Sequence, residues 1–284
     1  MAQVLAAVDL TPLGRKVADR GRMIAEQMGA ELSLLHVVEP LGETFIGADV
    51  ARLLFDQRKK AVGELTEWCR SRSEVPIEVA VLKGSPAWEI VRLGKKAELV
   101  VVGSSSLDSE GVGPTSLRVV EGHRGDVLVV RRQPRVPYRR IVVATDMSEA
   151  SAAGVEFAFR IAPEADITLV HGLPSRFDAY MAEAGMFPEE IERVRGQRQE
   201  AGEKSMASFA ARWGDRVRTA VSEGPPGAVV QEVARRRSAD LVVVSSRGAG
   251  ATKMVLLGTI AASVLESVPT DVAVARVPGD FRRP

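Results

Sequence analysis

The sequence predicts an α/β protein built as two tandem doubly wound domains. Each is a five-stranded, Rossmann-like parallel sheet with strand order 3-2-1-4-5. Three observations lead there. Short Val/Leu/Ile runs without polar alternation, such as "LVVVG" closing at Gly103 and "LVVVS" closing at Ser245, describe strands covered on both faces. Longer helical patterns separate these runs, so successive parallel strands are joined by right-handed crossovers. The chain also repeats itself. "VLAAVDLTP" from Val4 answers "IVVATDMSE" from Ile141, "ELSLLHVV" answers "DITLVHGL", and "GDVLVVRR" answers "TDVAVARV".

Taken in order, the first half carries strands near 3–8, 31–38, 76–82, 98–103 and 126–131. The second repeats them near 139–145, 165–171, 216–222, 239–244 and 271–277. Domains over 1–132 and 139–278 follow. Between them "RRQPRVPYRR" has two prolines and no apolar periodicity, and reads as a solvated linker. The spacing between repeats drifts, so the halves are duplicates with small insertions and deletions.

Composition excludes several classes. A net charge of +1 gives no global attraction to nucleic acid or to an anionic membrane. The start "MAQVLAAVDL" has no basic region ahead of its apolar stretch, and no segment is long and apolar enough to span a bilayer. The single cysteine, Cys69, forms no internal disulfide and sits in a helical pattern as an inert buried thiol. A cytoplasmic protein is expected.

Ligands of such sheets bind outside the carboxyl ends of the strands, where the strand order reverses between strands one and four. Asp9 and Asp146 close the first strands, and Ser/Gly turns open after the fourth strands at Gly103 and Ser245. In the second half the turn runs to Gly258-Thr259 at the start of a helix, where backbone amides suit phosphate. The loop matches neither G-x-x-x-x-G-K-S/T nor the dinucleotide fingerprint, because Lys253 stands where the latter needs its third glycine. The two aspartates also suit helix capping. His36 and His171 recur at strand ends without a partner at metal spacing, which favours a structural role and no metal site.

The loop spacing Ser245-x2-Gly248-x9-Gly258-Thr259 resembles the G-x2-G-x9-G-S/T pattern of nucleotide-binding universal stress proteins, with Ser in place of the first Gly. The likeness extends to Asp146, to the His ending strand two, and to Gly84-Ser-Pro86 and Gly224-Pro-Pro226, so it spans both halves. It implies ATP as ligand, with ADP and AMP as alternatives and Mg as an accompanying ion. By the same resemblance Asp146 and Gly172 hold the adenine, Gly224 lies by the ribose and phosphates, and Ser245, Gly248, Gly258 and Thr259 hold the phosphate chain. Lys253 is either a phosphate contact or a solvent-facing charge. The first-half loop is three residues shorter and ends Gly113-Pro114, which removes a hydroxyl and an amide, so its site is expected to be degenerate. Single-domain members resemble dimers joined through strand five. This implies an intramolecular pseudo-dimer here, with Val129 near Val274, and higher oligomers remain open.

The leading expectation is an ATP-binding stress-response sensor or regulator without catalytic residues. A slow ATPase on the same site, and an interaction module that binds no nucleotide, are the alternatives. An adenylating enzyme would need a glycine-rich loop after strand one, which "AVDLTP" and "VATDMS" lack. A phospho-acceptor receiver would need acidic residues where Leu10 and Gly84 stand.

Overall fold

A computed structural model of the chain describes residues 2–40, 47–104, 111–174, 176–246 and 257–276. The first half runs β1 (Gln3–Ala7), α1 (Pro12–Met28), β2 (Glu31–Val38), α2 (Ala48–Arg70), β3 (Ile77–Lys83), α3 (Pro86–Gly94), β4 (Leu99–Gly103), α4 (Pro114–Gly122) and β5 (Asp126–Val130). The second runs β6 (Arg140–Ala144), α5 (Glu149–Ile161), β7 (Asp166–Leu173), α6 (Arg176–Glu183), α7 (Pro188–Ala210), a 3-10 turn (Ala211–Arg216), β8 (Val217–Glu223), α8 (Pro226–Arg236), β9 (Leu241–Ser245), α9 (Thr259–Ser267) and β10 (Asp271–Ala275). Every strand lies within two residues of its expected limits.

All ten strands join one sheet, ordered β3-β2-β1-β4-β5-β10-β9-β6-β7-β8, so each half has the order 3-2-1-4-5. Neighbours within a half are parallel, as in β1 with β2 and β4, or β6 with β7 and β9. Strand alternation sends Val4, Leu32, Val101 and Leu128 to one face, and Leu5, Leu35, Val100 and Val127 to the other. Both apolar layers continue through the two halves, and Cys69 lies in the first of them. Burial pushes the Cys69 thiol up to about 11, which suppresses the reactive thiolate at neutral pH. Among the described residues no helix is long and apolar enough to cross a membrane.

The halves meet where β5 pairs antiparallel with β10. Val129 lies opposite Val272, Leu128 opposite Ala273 and Val127 opposite Val274. The expected neighbour of Val129 was Val274, and the register corrects this. Around a local two-fold axis a residue faces its own counterpart only on the axis, and that place belongs to Leu128 and Ala273. Every residue from Val127 to Val130 is completely buried, so neither strand tolerates solvent on this side. The outer strands differ, because β3 and β8 carry Glu78, Lys83, Arg218 and Glu223, charges of the kind that discourage further pairing.

Polar clasps close both ends of this seam. Asp271, which opens β10, accepts from the backbone amides of Arg131 and Arg132 at 2.7 and 3.0 Å. Its other oxygen takes the Tyr138 hydroxyl at 2.6 Å and lies 3.5 Å from the Arg20 guanidinium. Arg20 also stacks over the Tyr138 ring at 3.8 Å and donates to the Val136 carbonyl. By the same logic Asp126 opens β5, accepts from the Arg276 amide at 2.8 Å, and pairs with Arg160 of α5. The linker is therefore not wholly solvated. Its arginines other than Arg131 are exposed, but Pro134 and Tyr138 are buried, and burial followed by the Asp271 charge holds the Tyr138 phenol well above its usual range.

His123 follows α4 beside the same seam. Its ring is wedged where Cβ atoms on Gly94 or Gly125 would collide with it, and neither ring nitrogen has a partner among the described residues. Burial first, and the Arg276 charge second, lower its pKa from 6.5 to about 4. Below 6.5 the unfolded chain takes up a proton that the folded protein refuses until about 4. Stability contributed by neutral His123 is thus complete above the unfolded value and is lost as pH falls through that window, by up to roughly 3 kcal/mol. Urea unfolding of wild type and His123→Leu at several pH values should show the acid-side slope reduced in the variant; superimposable pH profiles would refute the assignment.

Candidate functional site

The strand order reverses between β1 and β4 and between β6 and β9, and sheets of this kind bind ligands outside the carboxyl ends of such strands. Each of these places begins with a tight turn. Asp146 Oδ1 accepts from the Ser148 amide at 3.1 Å and the Ser151 hydroxyl at 2.6 Å, with Met147 between them at φ 64°. A non-glycine residue in that region is strained by about 1–2 kcal/mol, so the bonds to Asp146 fix a conformation the chain would otherwise avoid. Asp9 Oδ1 likewise accepts the Thr11 amide and hydroxyl at 3.1 and 2.6 Å. One carboxylate oxygen of each aspartate therefore serves the turn ahead of the helix.

The histidines hold the same turns from behind. His36 Nδ1–H donates to the Val8 carbonyl at 2.8 Å, and His171 Nδ1–H to the Thr145 carbonyl at 2.7 Å. Each ties the end of strand two to the residue just before the aspartate, the structural role expected of them. The other ring nitrogen of His36, Nε2, is buried and has no hydrogen-bond partner among the described residues.

Gly172 and Gly224 are placed by backbone demands. A Cβ at Gly172 would lie 2.6 Å from the Pro226 Cα, so the first turn of α8 occupies the space a side chain would need. Val37 holds the corresponding place in β2. Gly224 has φ +132°, a region L side chains rarely adopt, and its amide donates to the Leu173 carbonyl at 2.9 Å as the chain leaves β8.

Of the phosphate-loop candidates, Ser245, Gly258 and Thr259 are described, while Gly248 and Lys253 lie outside the described residues. Ser245 ends β9 opposite Ala275. The Gly258 amide donates to the Ser246 carbonyl at 2.9 Å, so it is not a free donor as the loop pattern suggests. Gly258 instead caps α9, and the amides without an acceptor among the described residues are those of the first helical turn, beginning at Thr259. In the first half Gly113 donates to the Ser104 carbonyl in the same way, and Pro114 then supplies no amide.

The sequence directs attention to the second half, yet the first-half crevice is a well-formed cavity of about 730 Å³. Leu13, Val17, Leu35, Ile90 and Val102 form apolar walls, and Asp9, His36, Glu39, Arg58, Ser104 and Thr115 supply polar groups. Arg58 and Glu39 make no hydrogen bond or ion pair with any described residue. Arg58 was missed because a lone arginine in a long polar helix reads as a solvated face. Its position relative to the next strand, shared with Arg198, was the available signal.

The sequence profile of the universal stress protein family matches residues 1–131 and 137–276. A universal stress protein of Mycolicibacterium smegmatis is 26% identical over 270 residues, covering 87% of each chain. One from Methanocaldococcus jannaschii is 31% identical over 144 residues, covering 50% of this chain and 84% of its own. The crystal structure of a universal stress protein from Archaeoglobus fulgidus superposes with a TM-score of 0.67 at 19% identity, covering 96% of this chain and 98% of that one.

The Gly172–Pro226 contact is testable without a ligand. Gly172→Val must displace the Pro226 backbone, and a loss of about 1–3 kcal/mol is expected, as for overpacked cores. Urea unfolding checks it, and an unchanged midpoint would show that α8 moves away without cost.

Proposed function

Because the chain belongs to the universal stress protein family, we propose that it is an adenine-nucleotide-binding regulator of the stress response. In this reading it holds one ATP per chain in the crevice between β6 and β9 and signals to a protein partner. The observation that carries the reading is the connection from β9 to α9. Its Ser245-x2-Gly248-x9-Gly258-Thr259 spacing leads to a helix whose first-turn amides have no acceptor among the described residues. Unpaired amides and the positive end of a helix dipole favour a phosphate there.

The site roles follow the family resemblance. Asp146 and the backbone at Gly172 take the base, since Pro226 leaves no room for a side chain at Gly172. Gly224 borders the ribose. Ser245, the backbone at Gly248 and the Thr259 hydroxyl and amide hold phosphate oxygens, Lys253 answers their charge, and Gly258 sets the helix start. Units 1–132 and 139–278 form an intramolecular pseudo-dimer through β5 and β10, acting in the cytoplasm.

Equilibrium binding of labelled ATP should give one nucleotide per chain. Gly258 has φ −72° and ψ 156°, and among the described residues a Cβ there meets only the Ser246 carbonyl at 3.4 Å, so Gly258→Asp is expected to fold. Its carboxylate caps the amides and repels phosphate, and binding should fall at least about 100-fold. Gly113→Asp should change ATP affinity little. Two ATP per chain, or binding that survives Gly258→Asp, refutes the proposal.

A further inference from the structure

The segment that joins the two halves does more than connect them. We propose that its arginines, together with Arg237 at the end of α8, form a docking band for an acidic segment of a partner protein, on the amino-terminal end of the second-half sheet. The inference rests on the proposed function only for the existence of a protein partner, and none of its residues belongs to the nucleotide site.

The sheet order fixes where this segment runs. Antiparallel pairing lets β5 end beside the start of β10, and the chain re-enters at β6, so it crosses the amino ends of β10 and β9 on the way. Bonds along the route hold it there. The Arg132 amide donates to Asp271, and Arg132 Nε donates to the Pro269 carbonyl at 3.2 Å. The Arg139 and Arg140 amides take the two oxygens of Asp240, the residue before β9, at 2.9 and 3.1 Å. Arg140 Nε donates to the Ser238 carbonyl at 2.8 Å, which brings Arg140 to the end of α8, capped by Arg237.

Arg132, Arg135, Arg139, Arg140 and Arg237 are all exposed along this edge, and none forms an ion pair among the described residues. The side chains of Arg135, Arg139 and Arg237 have no hydrogen-bond partner there either. Arg132 and Arg140 are anchored only through Nε, which holds the guanidinium and leaves its terminal nitrogens available. The carboxylates close by are engaged elsewhere. Asp240 and Asp271 accept main-chain amides, the latter also facing Tyr138 and Arg20, while Glu232 pairs with Arg235 and Arg236.

The chemistry of the edge selects the partner. Guanidinium groups match carboxylates through two parallel bonds, the means by which arginine clusters read acidic motifs. Two strand spacings of about 4.8 Å separate β10 from β6, so the band is about 10 Å wide. Same-side residues of an extended peptide recur roughly every 7 Å, so two or three acidic residues cover it. Nucleic acid fits less well, because the net charge of +1 supplies no broad attraction and the band has no exposed ring on which a base could stack, Tyr138 being buried under Arg20. A membrane fits less well too, since Val136 is the one large apolar side chain exposed on the segment.

The test is fluorescence anisotropy of a fluorescein-labelled octaglutamate peptide titrated with the full chain at low salt. Wild type should bind it saturably, and Arg135→Glu, Arg139→Glu and Arg237→Glu combined should weaken binding at least about tenfold. Gln at the same three positions, which removes charge without adding repulsion, should weaken it about threefold or more. Arg52→Glu, Lys59→Glu and Lys60→Glu combined, on exposed positions of α2, make the same change in net charge and should leave binding within about twofold. The proposal is overturned if wild type does not bind the peptide, if the α2 variant loses as much as the band variant, or if a labelled DNA duplex or phosphatidylserine vesicles bind the band more tightly than the peptide does. Peptide binding should persist in the Gly258→Asp chain, so a failure of wild type to bind ATP while the peptide still binds would remove the nucleotide reading alone.

Discussion

An open parallel sheet ends in an edge, and here the edge strand of each half is too apolar to face water. Residues 127 to 130 and 272 to 275 include no charge and no proline, the devices that usually protect such an edge. Pairing β5 with β10 satisfies both backbones at once and merges the apolar layers on each face of the sheet. The polar clasps follow from this seam. A strand that ends inside another domain leaves its terminal amides buried, and Asp126 and Asp271 stand where those amides emerge. Two carboxylates buried there need cations, which Arg160 and Arg20 provide from the flanking helices.

Much of this was legible before any coordinates. Continuous valine runs mark buried parallel strands because no face of them meets solvent, and the repeat of "AVDLTP" and "ATDMSE" exposes the duplicated turn because a turn needs fixed residue types at fixed offsets. The misses are tertiary. Nothing local says that Val129 faces Val272, since register follows from where the axis falls. Tyr138 sits among arginines and prolines and looks solvated, until Asp271, far along the chain, supplies its acceptor. Gly172 reads as a weakened ligand wall, whereas the reason for it is Pro226 on another element. The first-half cavity was discounted because loop spacing reports on phosphate donors and is silent about walls.

The seam and the crevices are mechanically connected. Arg131, which follows β5 in the first half, donates to the Leu265 carbonyl near the end of α9 in the second. Arg276, which follows β10, donates to the Val120 carbonyl near the end of α4 in the first. Each helix that starts at one crevice is thus held at its far end by an arginine of the other half. Cations at a helix C-terminus complement its dipole, so the same contact that locks the halves together also favours the polarity of the helix whose amino end faces a crevice.

That crossed arrangement explains how the halves can diverge without losing the fold. The framework of each crevice, its aspartate turn, its histidine tie and the helix behind it, is fixed by contacts remote from the loop: Val8 with His36, Thr145 with His171, and the two arginine caps. Among the described residues, the ends of the connections after β4 and β9 are tied by bonds from Ser104 and Ser246 to the neighbouring strand and from Gly113 and Gly258 back to those serines. Both halves keep these closing bonds although the loops differ in length and in the residue that starts the helix. The same closing bonds thus accept connections of different length, and the sheet and seam beside them are held by contacts from other elements.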